Sequence, residues 1–484
     1  MKVAIVGGGI AGLSCGIYLA KNNIDVTIYE KNHYAGGFLT TWERKGSLID
    51  GYVHWMLGTK DGTRINKIWK DMGVFDTVSV YNPKTFCSVS YLGNWFHFYM
   101  DINKFKEELL KYSDNDDEEI EIFIEAIKSM GIMEIPTDFP IELDGNTKKY
   151  MPSMNIMRKL RHYLKLSISE LADRFNSKII KYAIKNCLVN NHFNAYYFIQ
   201  TLANFMNGND SLPLGCTKSV QDGMINRYLS YGGKFVFKEE IKEIVIEDNK
   251  AKGIILHNDE RIDYDYICLA VDPYLASKLI KKELAPYNEL SNDKDKYITY
   301  SYCIASYKTK MDMSKYPIAM IKNIDEYSFN NIKGNILSIR HFGYDNSLIK
   351  NGNTTIQVYL TTYEKDYDII SKLSKEEYKD FKNNIGNYFL DILKKEFGPD
   401  FELIDVVTPK TYERYNNSYK GTFMPFILAP GIKQLLRSQR VDNISNLVLA
   451  NQWLMLPGGS CVAVTMGKFA SQIILHDIGM NYNY

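Results

Sequence analysis

The first thirty residues alternate between short apolar runs and a longer amphipathic pattern. Four apolar residues, Val3 to Val6, predict a short buried strand, and a second apolar run, Val26 to Tyr29, predicts another. The segment between these strands carries an apolar face at helical spacing, formed by Ile10, Leu13, Ile17 and Leu19. The order strand, helix, strand predicts the start of an α/β fold with a parallel sheet.

Further along the chain the pattern predicts both helices and strands. The region after Asp101 is predicted to be largely helical, and so is Lys375 to Phe397. The runs Ile298 to Ala305 and Thr355 to Thr361 predict strands. A last amphipathic helix follows Ser460, with apolar positions at Val462, Met466, Phe469, Ile473 and Ile474. No uninterrupted apolar run is long enough to span a bilayer.

The turn between the first strand and helix is rich in glycine. Gly7, Gly9 and Gly12 have the G-x-G-x-x-G spacing of a dinucleotide site. Gly7 permits the tight turn, Gly9 lets a pyrophosphate approach the backbone, and Gly12 lets the helix pack closely on the strand. Glu30 ends the second strand, where a carboxylate can accept hydrogen bonds from ribose hydroxyls and would repel the 2′-phosphate of NADP.

Composition agrees with a folded protein of two domains. The chain has 484 residues, 45% of them hydrophobic and 24% charged, with a net charge of +1. This balance gives no indication of nucleic-acid binding. The seven cysteines are scattered without a C-x-x-C pair, which indicates neither a disulfide framework nor a metal site. We therefore expect a cytoplasmic protein without a bound metal.

Downstream motifs resemble a known flavoprotein superfamily. Gly36-Gly37 follows the acid, and the stretch Asp50-Gly-Tyr-Val-His54-Trp55-Met-Leu-Gly58 comes next. Here the chain resembles the flavin amine oxidase and phytoene desaturase superfamily, with the nearest resemblance to phytoene dehydrogenase-like proteins, carotenoid isomerases and retinol saturases. The resemblance implies non-covalent FAD, with the glycine pair around its pyrophosphate.

Two later segments extend the resemblance. The middle segment runs from Lys218 through Gly232-Gly233 to Ile241, whose backbone is implied to face the adenine. The last contains Ala450-Asn451-Gln452 and Leu456-Pro-Gly-Gly-Ser460, with Asn451 in place of a glycine and suited to a left-handed turn. Pro457 to Ser460 reads as a turn followed by an N-cap at Ser460, whose helix would aim N–H groups at the flavin. The combined motifs predict cofactor contacts at Gly7, Gly9, Ala11, Gly12, Glu30, Lys31, Gly36, Gly37, Ile241, Gln452, Gly458, Gly459, Ser460 and Val462.

The positions of these motifs predict a discontinuous domain organisation. A Rossmann-like FAD-binding domain would combine 1–75, 215–290 and 425–484. The insertions 76–214 and 291–424 would form a mixed-sheet and helical substrate domain that acts as a lid. The fold class is therefore α/β.

The resemblance implies an FAD-dependent oxidoreductase of phytoene desaturase type. Its substrate would be an apolar polyene, isoprenoid or fatty-acyl chain that gives a hydride to flavin N5. One alternative is a redox-neutral double-bond isomerase or saturase acting on a similar lipid, and a second is a flavin amine oxidase. A non-catalytic flavin or lipid carrier is a further alternative. No second G-x-G-x-x-G unit follows, so a quinone or oxygen is the expected electron acceptor.

Individual catalytic residues are less clearly indicated. His54, in the segment that leads to the flavin, is the one candidate, and a core histidine hydrogen-bonded beside Asp50 or Trp55 is the alternative. Cys461 is interpreted as a small buried residue rather than a covalent flavin link. Residues 151–166 interleave basic and apolar side chains, which is typical both of peripheral membrane contact and of a solvated basic helix.

Overall fold

Two large sheets dominate the architecture. The computed structural model describes residues 1–51, 54–132, 134–135, 137–144, 160–188, 190–284, 298–432 and 436–480. Within these ranges the chain forms one sheet of nine strands, one of seven, and two small sheets. In chain order the strands are β1 Lys2–Val6, β2 Asp25–Glu30, β3 Thr41–Arg44, β4 Ser47–Asp50, β5 Met56–Leu57, β6 Val80–Tyr81, β7 Thr85–Tyr91, β8 Asn94–Tyr99, β9 Asp210–Pro213, β10 Lys234–Phe237, β11 Ile241–Glu247, β12 Lys250–Leu256, β13 Arg261–Asp263, β14 Tyr266–Leu269, β15 Tyr300–Thr309, β16 Ala319–Phe329, β17 Ile332–His341, β18 Thr354–Tyr363, β19 Glu402–Val407, β20 Arg440–Val441 and β21 Ile444–Leu449.

The nine-stranded sheet has a Rossmann-like parallel centre. Its order is β10-β2-β1-β14-β21-β12-β11, with β13 paired to β12 and β20 to β21. Strands β10, β2, β1, β14 and β21 run parallel, whereas β11, β12 and β13 form an antiparallel extension. The register sets Val3 beside both Val26 and Tyr266, so the centre of this sheet is buried on both faces. The predicted α/β class is confirmed.

The seven-stranded sheet comes from the two insertions. Its order is β19-β15-β18-β17-β16-β7-β8, antiparallel except for the parallel pair β16 and β7. The predicted strands near 298–305 and 355–361 are confirmed as β15 and β18, each longer than the apolar run that predicted it. The mixed-sheet insertion expected from the motifs is therefore present.

Helices cover the faces and one edge of these sheets. The α-helices of the described chain are Ile10–Lys21, Arg64–Asp71, Ile102–Lys111, Asp117–Met130, Ile141–Asp144, Ile168–Ala172, Lys178–Asn186, Ala195–Met206, Cys216–Ser230, Pro273–Leu279, Glu364–Ser371, Lys375–Phe397, Pro409–Asn416 and Ser460–Asp477. The helix predicted over Lys375 to Phe397 has those bounds, because Ser374 caps it with Glu377 in a capping box and Gly398 ends it.

The first helix is more buried than its sequence predicts. Every residue from Ala11 to Ala20 is buried, although the pattern predicts burial along one face only. The helix lies between the sheet and two other helices, Cys216–Ser230 and Ser460–Asp477. Its polar Ser14 hydroxyl donates to the Val464 carbonyl at 2.7 Å, which satisfies the hydroxyl in this dry setting.

Only part of the basic and apolar segment 151–166 belongs to the described residues. Residues 151–159 lie outside the described residues, and the rest begins at Leu160 and forms a short 3₁₀ turn over Arg161–Lys165. Leu160 and Tyr163 are buried in a hydrophobic cluster formed by helical and strand side chains rather than presented to the exterior. Of the helices that the structure describes, none has the length and apolar character needed to cross a bilayer.

Candidate functional site

Two helix N-termini meet at one large cavity. Gly9 is the N-cap of Ile10–Lys21 and Gly459 is the N-cap of Ser460–Asp477, and neither end has a side-chain cap. The first N–H groups of a helix lack intrahelical partners and attract negative charge. A Cβ added at Gly9 would approach only the Gly37 Cα, at 3.9 Å, and one at Gly459 would meet nothing within 4 Å. The two backbone ends thus border open space suited to an anion.

The other glycines of the first motif have packing roles. Gly7 has a φ of 102°, a left-handed conformation that favours glycine. A Cβ on Gly12 would overlap the Gly7 carbonyl oxygen and lie 3.1 Å from the Ala270 Cβ. Gly12 does not line the cavity, and its position matches the predicted role of close packing between helix and strand.

Glu30 lies at the end of β2 and holds the glycine turn. Its Oε2 accepts from the Gly8 N–H at 3.0 Å, and its Oε1 accepts from the backbone and side-chain nitrogens of Asn32 at 2.9 and 2.8 Å. The side chain is buried but lines the cavity. A carboxylate has about four acceptor positions, so Glu30 keeps capacity for a ribose hydroxyl.

Lys31 and Ile241 line the cavity beyond Glu30. The Lys31 Nζ donates to the Arg414 carbonyl at 2.9 Å and to the Asn417 side chain. Burial lowers the pKa of Lys31, and the charges of Glu240 and Glu30 partly oppose this shift. Ile241 begins β11, so its backbone lies at the edge of the sheet facing this part of the cavity.

The closing motif differs from its predicted geometry in two places. Ser460 is the first residue of the helix and Gly459, with a φ of 92°, is the N-cap, so the predicted cap was wrong by one position. Asn451 has a φ of −152°, and the predicted left-handed turn there was also wrong. The extended backbone lets the Asn451 side chain accept from the Trp453 N–H at 3.0 Å and cap a 3₁₀ turn instead.

The Gln452 side-chain amide forms two hydrogen bonds that hold the closing motif in place. Its Oε1 accepts from the Gly459 N–H at 2.8 Å, and its Nε2 donates to the Phe423 carbonyl at 2.7 Å. Both ends of this side chain are therefore engaged with the protein, which ties the start of the last helix to the segment that contains Phe423. Every residue predicted to contact the cofactor, other than Gly12, lines the same cavity.

His54 lies in an aromatic wall of the cavity. Its ring stacks on Tyr302 with centroids 5.6 Å apart, and Tyr302 stacks on Phe423 at 5.2 Å. The His54 Nε2 is buried, and no hydrogen-bond partner is found for it among the described residues. Burial, followed by the charge of Arg340, lowers the pKa of His54 to about 3, so the ring is neutral at physiological pH. The suggested core hydrogen bond to Asp50 is not among the contacts of the described chain.

A buried hydrogen-bond network contacts the aromatic wall through Tyr359 and supports it. Asp50 accepts from the Thr217 hydroxyl, and its backbone carbonyl accepts from the Gln357 Nε2 at 2.7 Å. The Tyr359 hydroxyl donates to the Gln357 Oε1 at 2.5 Å. Burial raises the pKa of Asp50, while the positive charge of Arg340 opposes that effect. The network orients Tyr359, whose ring meets the His54 ring edge-on at 5.2 Å.

The cavity extends from the glycine turn into an apolar region between the sheets. Its volume is about 850 Å³, near the upper end of ordinary ligand pockets. A cluster of Trp55, Phe86 and Phe205 lies in the apolar region, with ring centroids 5.3 to 5.7 Å apart. The aliphatic lining there includes Leu188, Ile318, Ile321, Ile336 and Ile339. One continuous space therefore joins a polar dinucleotide end to an apolar end.

The sequence analysis did not identify two polar residues that lie in the apolar region of the cavity. Asp210 and Asn204 line the cavity, each only 2% exposed, and each has an Oδ1 atom without a hydrogen-bond partner among the described residues. Burial raises the pKa of the Asp210 carboxyl well above its ordinary value. The sequence offered only a single acid at the start of the short proline-ended segment Asp210–Pro213, which is buried in the fold.

Cys461 follows the closing motif and borders the cavity. Burial raises the pKa of its thiol to about 12, so the thiolate needed for a covalent link is disfavoured. Across the described ranges, no group of three or more His, Cys, Asp or Glu side chains is arranged to hold a metal ion.

These features fit FAD. The two uncapped helix ends and the open space at Gly9 and Gly459 suit a pyrophosphate and an electron-rich ring, and Glu30 suits a ribose. The cavity continues past these groups into the apolar region, where a second molecule could contact the far side of the cofactor. The cavity therefore has room for an extended dinucleotide that reaches well beyond the glycine turn.

Comparisons with known proteins agree with this geometry. The NAD(P)-binding Rossmann-like domain family matches residues 5–72. Prolycopene isomerase from Daucus carota is 23% identical over 87% of this chain and 71% of its own length. 4,4'-diapolycopen-4-al dehydrogenase from Metabacillus indicus is 24% identical over 63% of this chain and 62% of its own length.

Solved structures show the same fold over almost the whole chain. An oxidoreductase from Methanosarcina mazei superposes with a TM-score of 0.59 at 15% identity and covers 98% of this chain and 100% of its own. A putrescine oxidase variant has a TM-score of 0.59 at 14% identity, covering 98% of this chain and 99% of its own. The predicted resemblance to carotenoid isomerases and dehydrogenases is confirmed in sequence, and the fold is shared with solved oxidoreductases.

Proposed function

We propose that this chain is an FAD-dependent oxidoreductase of phytoene desaturase type that acts on an apolar polyene, isoprenoid or fatty-acyl substrate. The observation that carries the proposal is the single cavity that joins the dinucleotide site to an apolar, aromatic-lined region. A polar or charged substrate would lose its hydration in that region without gaining enough partners. An extended hydrocarbon instead gains free energy from burial there, at about 25 cal/mol per Å².

Residues in different parts of the cavity would have different roles in the reaction. Gly9, Gly459 and Glu30 would hold the cofactor, and FAD, when bound, supplies a hydride acceptor at its N5 atom. The wall formed by His54, Tyr302 and Phe423 would orient the substrate by ring contacts and exclude water. Because His54 is neutral and buried, we assign it to this packing role rather than to proton transfer.

Anaerobic mixing tests the proposal directly. The holoenzyme is mixed with phytoene in detergent micelles without oxygen, and the oxidised flavin band is followed. The proposal expects bleaching together with a product lighter by two hydrogens. Absence of bleaching by phytoene, squalene, geranylgeraniol and an acyl chain alike would contradict it.

A redox-neutral double-bond isomerase is the second candidate. It is favoured by the prolycopene isomerases that match 87% of this chain. This activity would need reduced flavin and would give a product of unchanged mass and altered chromatographic retention. The same reaction mixture, prereduced with dithionite, separates the two candidates.

A flavin amine oxidase is the remaining candidate. The fold is shared with putrescine oxidase, and an aromatic wall can contact a cationic amine. Bleaching by putrescine but not by phytoene would favour this activity over the desaturase.

We also propose that electrons leave the flavin to a quinone or to oxygen. Reoxidation of the bleached enzyme by a soluble quinone and by air distinguishes the two acceptors. Reoxidation by neither would contradict this part of the proposal.

For substrate delivery we propose contact between 151–166 and an anionic membrane surface. The support is the interleaving of basic and apolar residues in the sequence, with four cationic side chains at Arg158, Lys159, Arg161 and Lys165. Replacing all four by glutamine is expected to reduce sedimentation with phosphatidylserine-containing liposomes. Unchanged sedimentation would contradict this proposal and favour the alternative, in which the segment is a solvated basic helix.

A further inference from the structure

The cavity contains a polar point within its apolar region. Asp210, the first residue of β9, pairs in the sheet with Leu57, which also lines the cavity. Asn204 lies near the end of helix Ala195–Met206, and the Asn209 N–H donates to the Asn204 carbonyl at 2.9 Å. This bond ties the end of the helix to the start of β9, so both polar side chains belong to one local unit of the wall.

One side-chain oxygen of each of these two residues has no hydrogen-bond partner in the described part of the protein. The Oδ1 atoms of Asp210 and Asn204 are buried, and neither has a hydrogen-bond partner among described residues. A buried polar atom left without a partner destabilises the fold unless a ligand pairs with it. The neighbouring Thr201 is different, because its hydroxyl donates to the Tyr197 carbonyl at 2.9 Å.

Asp210 also lies near the cofactor end of the cavity. The last helix, whose second residue Cys461 also lines the cavity, packs against β5, the strand that pairs with Asp210. A group held by Asp210 would therefore be close to the helix end that we assign to FAD. Burial favours the protonated carboxyl, which can donate one hydrogen bond and accept another.

We propose that Asp210, with Asn204, binds a hydroxyl or carbonyl group at one end of an otherwise apolar isoprenoid substrate. This inference rests on the proposed function and narrows its substrate class to oxygen-bearing isoprenoids. An alcohol can donate to the Asn204 Oδ1 and accept from the carboxyl proton of Asp210, so it satisfies both residues, whereas a carbonyl can accept from the Asp210 carboxyl alone. A pure hydrocarbon would leave them unpaired and would bind less well.

A matched pair of ligands tests the assignment. The holoenzyme is titrated with geranylgeraniol and with the hydrocarbon of the same skeleton that lacks the hydroxyl, and binding is read from the flavin spectrum. We expect the alcohol to bind roughly 10- to 100-fold more tightly than the hydrocarbon. In Asp210→Leu the preference should fall to about twofold or less while hydrocarbon binding is retained, and Asp210→Asn should keep part of the preference.

Thr201→Val provides the control, since that hydroxyl is already engaged and its loss should leave the preference unchanged. Equal affinity for both ligands in the parent, or an undiminished preference in Asp210→Leu, would overturn the assignment alone. Loss of FAD from a folded Asp210→Leu or Asp210→Asn variant would also overturn it, because Asp210 would then serve the cofactor. If neither ligand alters the flavin spectrum, the proposed function fails together with this inference.

Discussion

The backbone N–H of Gly8 donates to the Glu30 Oε2 at 3.0 Å, across the gap between β1 and β2. This bond joins the glycine turn to the acid that ends the second strand. One carboxylate thus shapes the turn and also lines the cavity where a ribose would lie. The Glu30→Gln variant should keep one acceptor for Gly8 but lose the negative charge.

We expect Glu30→Gln to weaken FAD binding by roughly tenfold, since charge-assisted hydrogen bonds are about twice as strong as neutral ones. Titration of the apoprotein with FAD measures the change. Unaltered affinity would mean that Glu30 holds the turn without contacting the ribose.

Gly9→Asp should abolish flavin binding while the chain still folds. The nearest atom to a Cβ at this position is the Gly37 Cα at 3.9 Å, so the backbone has room for a side chain. The added carboxylate would lie at the uncapped helix end and repel a pyrophosphate. The measurement is the ratio of flavin to protein absorbance after purification, with the melting temperature as a check on folding.

Gly9→Ala is the matched control for that experiment. It adds a methyl group without charge and should retain a large part of the flavin. Full flavin occupancy in Gly9→Asp would be incompatible with a pyrophosphate at this turn.

Activity should not depend on protonation of His54 near neutral pH. The folded-state pKa of about 3 lies below the ordinary value of 6.5, so the folded protein keeps this ring neutral while the unfolded chain binds a proton as pH falls through 6.5. The contribution of His54 to stability is therefore lost progressively as pH falls from 6.5 towards 3. The ratio of rates for the parent and His54→Gln should stay constant from about pH 5 to 8. A ratio that changes with an apparent pKa near 6.5 would restore His54 as a proton-transfer residue.

Lys468 should make stability rise at alkaline pH. Its ammonium group is buried and donates to the Thr137 carbonyl at 2.8 Å. Burial lowers its pKa from 10.5 to about 8; Asp71 opposes this shift and Lys67 adds to it. Between these two pH values the unfolded chain binds a proton that the folded chain has released, so stability rises with pH, by up to about 3 kcal/mol.

Lys468→Met removes the titrating group and tests that slope. Urea unfolding of both proteins from pH 7 to 10.5 should show the parent gaining stability relative to Lys468→Met above pH 8. Parallel curves would show that Lys468 does not titrate in this window.

The sequence predicted the elements whose information is local. The strand, glycine turn and helix from Val3 onward follow from spacing and burial, and the capping box at Ser374 marks the start of a helix that periodicity alone predicts. The motifs also indicated which chain segments border the dinucleotide end of the cavity.

Other features depend on contacts between distant segments. Asp210 becomes significant because Cys461 and Leu57 come beside it in the fold, and no local pattern encodes that approach. Asn451 was predicted to be left-handed from its position in a motif. In the structure its side chain accepts a hydrogen bond from the Trp453 N–H, and this contact favours an extended backbone instead. The neutral state of His54 likewise follows from Tyr302 and Phe423, which no spacing places beside it.

A mass spectrum of everything released from the natively purified protein tests the central claim most directly. The protein is purified without added cofactor and denatured, and the released molecules are identified. The account predicts free, non-covalent FAD together with an apolar isoprenoid or acyl passenger. Release of no flavin, followed by failure of the apoprotein to take up added FAD, would contradict it.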